Sequence, residues 1–585
     1  MSDAQQRFGS GRSVLRIEDD LLLRGQGCYT DDLPPEPGLE PPLRVCFVRS
    51  AYPHARIRHI DASAARALPG VVAVYTGADL VAAGVRPMAA PTGFRRVDGP
   101  QGSPERWPLA VERVRHVGEA LAMVVAGTLE QARDAAEALE VDLEEQPMVV
   151  DLAAAVAPGA PRVSDGAPDN IAAEKRYGDA AAVQQAFAQA AHRVRLRIVN
   201  QRLAALTLEP RSVMAFVDPA DGRLTLRMST QMPSGIRQAL SKDVLGIPRD
   251  RIRVTVGDVG GGFGLKGGMH PEDAAVAWAA WTLRRPVKWI AERSEEFLSA
   301  ATGRDLDSDA ELALDDRGRI LALRLSTLAN VGAYATPTGV AIALMIGPWV
   351  QTSVYDIARV DFHFKAVMTH TAPVGAYRGA GRPEAIHTME RLIDEAARQT
   401  GLDRIALRRI NLITPQQMPY TNPMAQVYDS GRFERVMDQA LALADWQGFA
   451  LREQRSRQAG RWRGLGIATF LEWTGGNVFE ERVTIQVRPE GVIEVFSAVN
   501  GMGQGIATSL AQLVVDVFDV PLSAVRIVMG DTDRGDGFGS AGSRSIFVGG
   551  SAVRVGSQRA LDRARERAAA HLEAAVADLD YQAGR

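Results

Sequence analysis

Cysteine is nearly absent: Cys28 and Cys46 are the only two among 585 residues, and they are not in C-x-x-C spacing. Two thiols cannot by themselves hold an iron–sulfur cluster or a structural zinc, so both are read as small core residues and no cluster-based electron relay is expected in the chain. The nine histidines show no H-E-x-x-H or comparable ligand spacing, which leaves any metal to arrive inside a cofactor. Long uncharged apolar runs are missing too, and the start MSDAQQRFGSGRS lacks the apolar core of a secretory signal; no membrane span is expected, and a cytoplasmic location is. There is no excess of one charge: 67 Lys plus Arg against 70 Asp plus Glu give a net −3, no case for nucleic acid or an anionic membrane surface as partner. What remains, 46% hydrophobic and 23% charged residues, is the composition of a globular protein too long for one core.

The most informative stretch is GDVGGGFGLKGG, Gly257 to Gly268. Before it, Ile252, Val254 and Val256 alternate with Arg251, Arg253 and Thr255, which predicts a half-buried strand. After it, Pro271 suits a first helical position, Glu272 and Asp273 suit the positive end of the helix dipole, and Arg284 and Arg285 close the last turn before Pro286. Strand, bare loop, helix is the expected order. Glycine this dense costs backbone entropy and permits close approach of N–H groups to an anion such as phosphate. The loop alone leaves two other readings open. One is a mere close crossing of chain segments. The other is a dinucleotide fingerprint, since Gly262, Gly264 and Gly267 satisfy G-x-G-x-x-G and Glu292, ending PVKWIAE, stands near where a ribose-binding acid belongs.

A second copy of the surroundings weighs against the dinucleotide reading. GIPRDRIRVTVGD from Gly246 aligns without gaps on DVPLSAVRIVMGD from Asp519 at an offset of 273, matching Pro248 with Pro521, Arg253 with Arg526 and Asp258 with Asp531. Upstream, GRLTLRMSTQ from Gly222 aligns on GVIEVFSAVN from Gly491 at an offset of 269, and the extra residues of the second copy fall around GMGQG, Gly501 to Gly505. Each copy reads as strand, polar loop, helix, strand, loop. Gln231 with Gly260 to Gly264 from one half, and Gln504 with Ser540 to Ser545 from the other, are expected to face one extended ligand.

Along the rest of the chain, PPLRVCFVRS, VVAVYTG and ALAMVVAG read as strands and LEQARDAAEAL as a helix after Thr128, an α+β domain over 1–150. The Ala/Pro/Gly/Asp-rich stretch 151–175 reads as a linker, followed by domains over 176–400 and 401–585. Ala180 to Ala190 predicts a helix, HRVRLRIVNQRL a strand, the text around DDRG a hairpin, and Ile386 to Gln399 a helix entered through APVGAYRGAGRPEA. GRWRGLGIATFLEW and ERVTIQVRPEGVIEVFSAVN are expected as strands.

Taken together, RIEDDLLLRGQGCYTDDL, FVRSAYPHARI, VGEALAMVV, STQ, GGGFGLK, GAYRGAGRPEA, GMGQG and GDTD with GSRS resemble the large molybdopterin-binding subunit of the xanthine dehydrogenase, aldehyde oxidase and carbon monoxide dehydrogenase superfamily. The resemblance runs along essentially the whole chain. It implies a multidomain α+β fold: an N-terminal α/β hammerhead domain, then two molybdopterin-binding domains, the second incomplete. It further implies a molybdenum-bearing molybdopterin, expected as the cytosine dinucleotide, between those two domains. Carried over by position, Gln231 resembles the glutamine beside the metal. Gly261, Gly262, Phe263 and Gly264 resemble the loop beneath it, with Phe263 as a shield from water and a side chain at Gly262 blocking the ligand's approach. Arg378 resembles the arginine bordering the active site, Gly503, Gln504 and Gly505 the glutamine loop that holds the pterin, and Gly542 and Ser543 the close contacts near the metal.

The implied chemistry is oxidative hydroxylation of an electrophilic carbon in a small molecule, with electrons leaving through a small iron–sulfur subunit and a flavin subunit. Gly379 stands where copper-type carbon monoxide dehydrogenases carry cysteine, and Ala380 where xanthine oxidases carry a stacking phenylalanine, so an aldehyde or another N-heterocycle is expected as substrate. The family's base, a glutamate in a G-V-G-E-like motif near the subunit's C-terminus, has no counterpart in 1–585. A separate polypeptide carrying that segment is one candidate partner, and the chain alone is expected not to turn over. Glu209 and Glu384 are expected to be structural acids paired with arginines. Binding of cofactor or partners without turnover is the alternative.

Overall fold

The computed structural model describes residues 8–34, 36–90, 92–472, 474 and 479–585. Its largest sheet has seven strands in the order Ile252–Thr255, Leu224–Met228, Ser212–Val217, Val287–Ile290, Leu43–Arg49, Ala120–Ala126 and Val71–Thr76. The three expected N-terminal strands are all in it, and Leu129–Glu137 forms the expected helix, with Thr128 Oγ1 accepting from Gln131 N at 3.2 Å. The N-terminal domain does not keep a sheet to itself, however. Leu43 pairs with Val287 and Arg44 with Lys288 in a parallel ladder, so strands from 1–150 and from 176–400 form one continuous surface. The helix Pro271–Leu283 is buried on nearly all sides, as its AAVAWAAW text requires, and Pro271 opens it.

The stretch expected as a linker carries structure. Leu152–Ala155 is a short helix capped by Asp151, and the strand Ile171–Gly178 begins inside the stretch. Fully buried Asn170 organises it: its side chain donates to Ala155 O and Pro161 O, both at 2.9 Å, and accepts from Val163 N at 2.9 Å. Composition showed the prolines and alanines but not these three bonds.

A five-stranded sheet in the order Ile171–Gly178, Val360–Met368, Ile320–Gly332, Leu306–Leu314, His192–Asn200 contains the expected hairpin about DDRG. The helix Arg382–Thr400 packs on it. That helix starts four residues earlier than expected, because Pro383 fits a first turn and Gly381, at φ +89°, makes the sharp entry. A three-stranded sheet, Val483–Val487, Ile493–Ser497, Val525–Met529, packs with the helices Ile506–Phe518 and Ser551–Leu572.

No strand forms over GRWRGLGIATFLEW among its described residues. Its carbonyls meet side chains instead of a ladder: Arg404 Nη1 donates to Leu465 O, Arg408 Nη2 to Ile467 O and Ser353 Oγ to Thr469 O, each at 3.3 Å.

The internal repeat holds down to the register. Leu224 pairs with Ile252 in the first copy and Ile493 with Val525 in the second, the pairs related by the same two offsets read in the sequence. The copies also meet each other. Val256 N donates to Gly530 O at 2.7 Å, Thr532 N donates to Val254 O at 3.1 Å, and Arg253 grips Asp531 through two bonds of 3.1 and 2.8 Å.

An N-terminal strap crosses the second copy before the hammerhead strands begin. Gln512 Nε2 donates to Gly9 O at 2.6 Å, Arg16 Nη1 to Gly503 O at 2.8 Å and Thr508 N to Glu18 Oε1 at 3.2 Å. Further on, Cys28 N donates to Asp258 Oδ2 at 2.7 Å and Asp258 N to Cys28 O at 3.0 Å. Cys28 is exposed rather than in the core, since its backbone is what the fold uses.

Candidate functional site

Gln231 follows the strand Leu224–Met228 and is buried where three segments converge. Its N donates to Lys266 O at 2.9 Å, its Oε1 accepts from Gly264 N at 2.8 Å, and its Nε2 donates to Ser540 O at 2.7 Å. Ser540 N returns a bond to Gln231 O at 3.0 Å. One side chain therefore ties the glycine loop of the first repeat to the 539–545 loop of the second.

A Cβ at Gly262 would lie 2.6 Å from Met502 Sδ and 2.7 Å from Gln231 Oε1. The bare position thus makes room for those two side chains, a constraint that stands beside the expected one on a ligand's approach. A Cβ at Gly264, φ +96°, would meet Ala376 O at 2.7 Å, and one at Gly261 would meet Phe263. The dinucleotide reading finds no support, because Glu292 pairs on the surface with Arg133.

The residue equivalent to Gln231 is Asn500, which motif reading passed over although the alignment at offset 269 sets the two opposite each other. Buried Asn500 donates through Nδ2 to Thr230 O at 3.0 Å, its N donates to Ser540 Oγ at 3.1 Å, and Ser540 Oγ donates to Asn500 O at 2.8 Å. Gln504 is exposed, and its Oε1 accepts from Met502 N within its own loop. From this loop it is Met502 whose Sδ stands against Gly262.

Arg378 N donates to Phe263 O at 2.9 Å, and the Arg378 guanidinium lies 5.8 Å from the centre of the Phe263 ring. Phe263 is in the left-handed region at φ +52° and remains 39% exposed. Gly542 and Ser543 are left-handed too, at φ +60° and +57°. Ser543 Oγ donates to Glu472 Oε1 at 3.1 Å, and that carboxylate also pairs with Arg382 Nε at 3.0 Å, so Glu472 joins the 539–545 loop to the helix entered after Arg378.

Charge is concentrated beneath the loop. Glu209 pairs with Lys266 at 3.0 Å and not with an arginine; the expected arginine partner holds for Glu384, whose Oε1 is 3.2 Å from Arg304. Burial raises the Glu384 carboxyl above its ordinary pKa, with Arg304 opposing. Fully buried Arg211 binds Glu272 at 3.0 Å and Glu296 at 2.7 Å, while Arg49 reaches Glu272 at 2.9 Å. Burial would raise the Glu272 carboxyl, but these two arginines hold it below its usual range. His270 Nε2 donates to Leu265 O at 2.9 Å, and burial lowers its pKa to about 3, so the ring is neutral. Among the described residues no group of three or more His, Cys, Asp or Glu is placed to hold a metal ion, and no helix is long and apolar enough to cross a membrane.

The residues present fit a molybdopterin. A Cβ at Gly503, φ +94°, or at Gly542 would meet nothing within 4 Å, so two bare loop faces stand open, while Gln231 holds the glycine loop and the 539–545 loop in fixed positions through its bonds to Gly264 N and Ser540 O.

Residues 24–147 match the aldehyde oxidase and xanthine dehydrogenase a/b hammerhead domain, and 163–412 and 439–585 each match a molybdopterin cofactor-binding domain. The chain is 32% identical over 595 residues to the nicotine 6-hydroxylase large subunit of Paenarthrobacter nicotinovorans, spanning 98% of this chain and 70% of that protein. It is 32% identical over 616 residues to the carbon monoxide dehydrogenase large chain of Afipia carboxidovorans, spanning 100% and 74%. The crystal structure of quinoline 2-oxidoreductase from Pseudomonas putida 86 superposes with a TM-score of 0.89 at 34% identity, over 98% of this chain and 73% of that one. A hammerhead domain followed by two cofactor domains defines the large subunit of a molybdenum hydroxylase. The chain belongs to the aldehyde oxidase and xanthine dehydrogenase family, as its molybdopterin-binding large subunit.

Proposed function

We propose that this subunit oxidatively hydroxylates an N-heterocycle or an aldehyde, using molybdopterin cytosine dinucleotide, and passes the electrons to a small iron–sulfur subunit and a flavin subunit. The observation that carries the reading is the Gln231 junction, where the bare loops of both repeats are bonded to one buried amide. The cofactor, when bound, supplies the two-electron oxidation that introduces oxygen from water. Gly261, Gly262 and Gly264 let the loop that would lie beneath it close onto Phe263, Gln231 and Ala376, while Gly503, Gln504 and Gly505 would hold the pterin and Gly542 with Ser543 would line the site from the second repeat. Gln231 is the polar group beside the reacting centre, its rotamer set by its bonds to Gly264 and Ser540. Phe263 keeps water from one flank, and Arg378, stacked over it, offers a cation to the substrate at the entrance.

Relatives whose names record nicotine and quinoline favour the heterocycle over the aldehyde. Gly379 and Ala380 argue against carbon monoxide and xanthine, since neither supplies a thiolate or a stacking ring. The partners are supported by relatives named as large or gamma subunits of complexes and by the two cysteines here, too few for a cluster. The test is the complex coexpressed with the subunits encoded beside it. Stoichiometric molybdenum, release of a cytosine nucleotide from the cofactor, and dye-coupled oxidation of quinoline, nicotine or benzaldehyde are expected. A folded complex without molybdenum or pterin overturns the proposal. One that holds both but oxidises no member of such a panel supports binding without turnover.

A further inference from the structure

Beside the Gln231 junction lies a largely buried ion pair outside the residues assigned to the cofactor. The Lys266 side chain is fully buried, and its Nζ donates to Glu209 O at 2.8 Å and to Glu209 Oε2 at 3.0 Å. That same carboxylate oxygen accepts from Ser229 Oγ at 2.7 Å and from Gly260 N at 2.8 Å. It therefore gathers donors from the segment that leads from the strand Leu224–Met228 to Gln231, from the start of the glycine loop and from its far side. The Lys266 carbonyl accepts from Gln231 N at 2.9 Å and Thr230 Oγ1 at 3.2 Å, so the lysine that anchors the loop also sets the backbone of the glutamine. There is no slack at the contact: a Cβ at Gly260 would lie 2.5 Å from Glu209 Cβ.

We infer that Glu209 and Lys266 are a positioning pair that holds the Gln231 amide and the 260–264 loop in the geometry the cofactor site requires. The inference rests on the reading of Gln231 given above. A full negative charge suits an oxygen that takes three donors, because charge-assisted bonds are shorter and stronger than neutral ones. Lys266 is what makes that charge tolerable under burial, since a buried carboxylate stripped of its partner is strongly destabilising. Neither side chain need touch the substrate or the cofactor to act, because both act through Gln231 and Gly260.

Lys266→Met, Glu209→Gln and the double variant, each in the coexpressed complex, test this by melting temperature, pterin content, the Mo(V) electron paramagnetic resonance signal, and kcat and KM for quinoline. Lys266→Met is expected to melt earlier, to shift the Mo(V) signal and to lower kcat on the order of 10²-fold with KM little changed, the scale set by small misplacements of catalytic groups. In the double variant no unpaired carboxylate remains, so melting is expected to recover while kcat and the Mo(V) signal stay altered. Recovery of all three together, or wild-type signal and kcat in the folded single variants, overturns the inference. If Lys266→Met does not fold, Glu209→Gln and the double variant decide by the same readings. Wild-type pterin content and Mo(V) signal in Gln231→Ala would instead sink the site reading itself. Pterin content and the Mo(V) signal need no knowledge of the natural substrate.

Discussion

Replacing Gly262 by valine probes the junction most directly. The first added carbon alone would lie 2.6 Å from Met502 Sδ, 2.7 Å from Gln231 Oε1 and 2.9 Å from Gln231 Cδ. Methionine is adaptable and can swing away. Gln231 cannot, because Oε1 is held by Gly264 N and Nε2 by Ser540 O. Expelling the amide leaves the buried Ser540 carbonyl unsatisfied, at about 1–3 kcal/mol, and takes from the half-buried Gly264 N its acceptor, at about 1 kcal/mol more. The expected result is loss of pterin, a lower melting temperature, and faster hydrogen exchange over 229–232 and 260–266, with protection kept in the strand Ala120–Ala126. Gly491→Ala is the control: its Cβ meets nothing, so only the left-handed backbone at φ +84° resists, at about 1–2 kcal/mol. A Gly262→Val protein with wild-type melting and full pterin content would refute the junction as the cofactor wall.

Arg211→Met is expected to destabilise by about 3–5 kcal/mol in urea titrations, because Glu272 and Glu296 lose a buried partner; a change under 1 kcal/mol would contradict it. His370, stacked on His54 with centroids 4.2 Å apart, has its pKa lowered to about 4 by burial and then by His54, against an ordinary 6.5. The unfolded chain binds the extra proton between those values, so this contribution is complete above pH 6.5 and is lost as pH falls toward 4. At full shift it amounts to about 3 kcal/mol, and His370→Gln should show a flatter fall of stability between pH 7.5 and pH 5 in urea titrations; an unchanged slope would reject the assignment. Asn500→Ala should lower both melting temperature and pterin content by leaving Thr230 O unpaired, whereas Gln504→Ala should leave melting unchanged. The reverse order would restore Gln504 as the partner of Gln231.

Legibility followed how local each determinant is. Strands and helices with strong periodicity were readable, and so was the repeat, because a parallel pair on either side of a helix imposes the same spacing twice. The glycine loop was readable as a cradle but not its reason: that Gly262 clears Met502 and Gln231 depends on packing between residues far apart in sequence. Lys266 stood inside the quoted motif, yet its partner Glu209 lies 57 residues away, and no pattern in either segment names the other. Asn500 was visible in the alignment and lost to the more familiar look of GMGQG. GRWRGLGIATFLEW carries strand-like residues, but a ladder needs a neighbour, and here Arg404, Arg408 and Ser353 supply donors instead.

The strap sets a clock on assembly. Arg16 and Glu18 meet partners 487 and 490 residues further along the chain. At about 5–20 residues per second, synthesis places roughly 25 to 100 s between the emergence of the strap and that of the loop it closes on. Through that interval the strap has no partner to pair with. Arg16 on Gly503 and Glu18 on the first turn of the Ile506–Phe518 helix are therefore contacts that form only when nearly the whole chain has been made, which places the seating of the N-terminal strap among the last steps of folding.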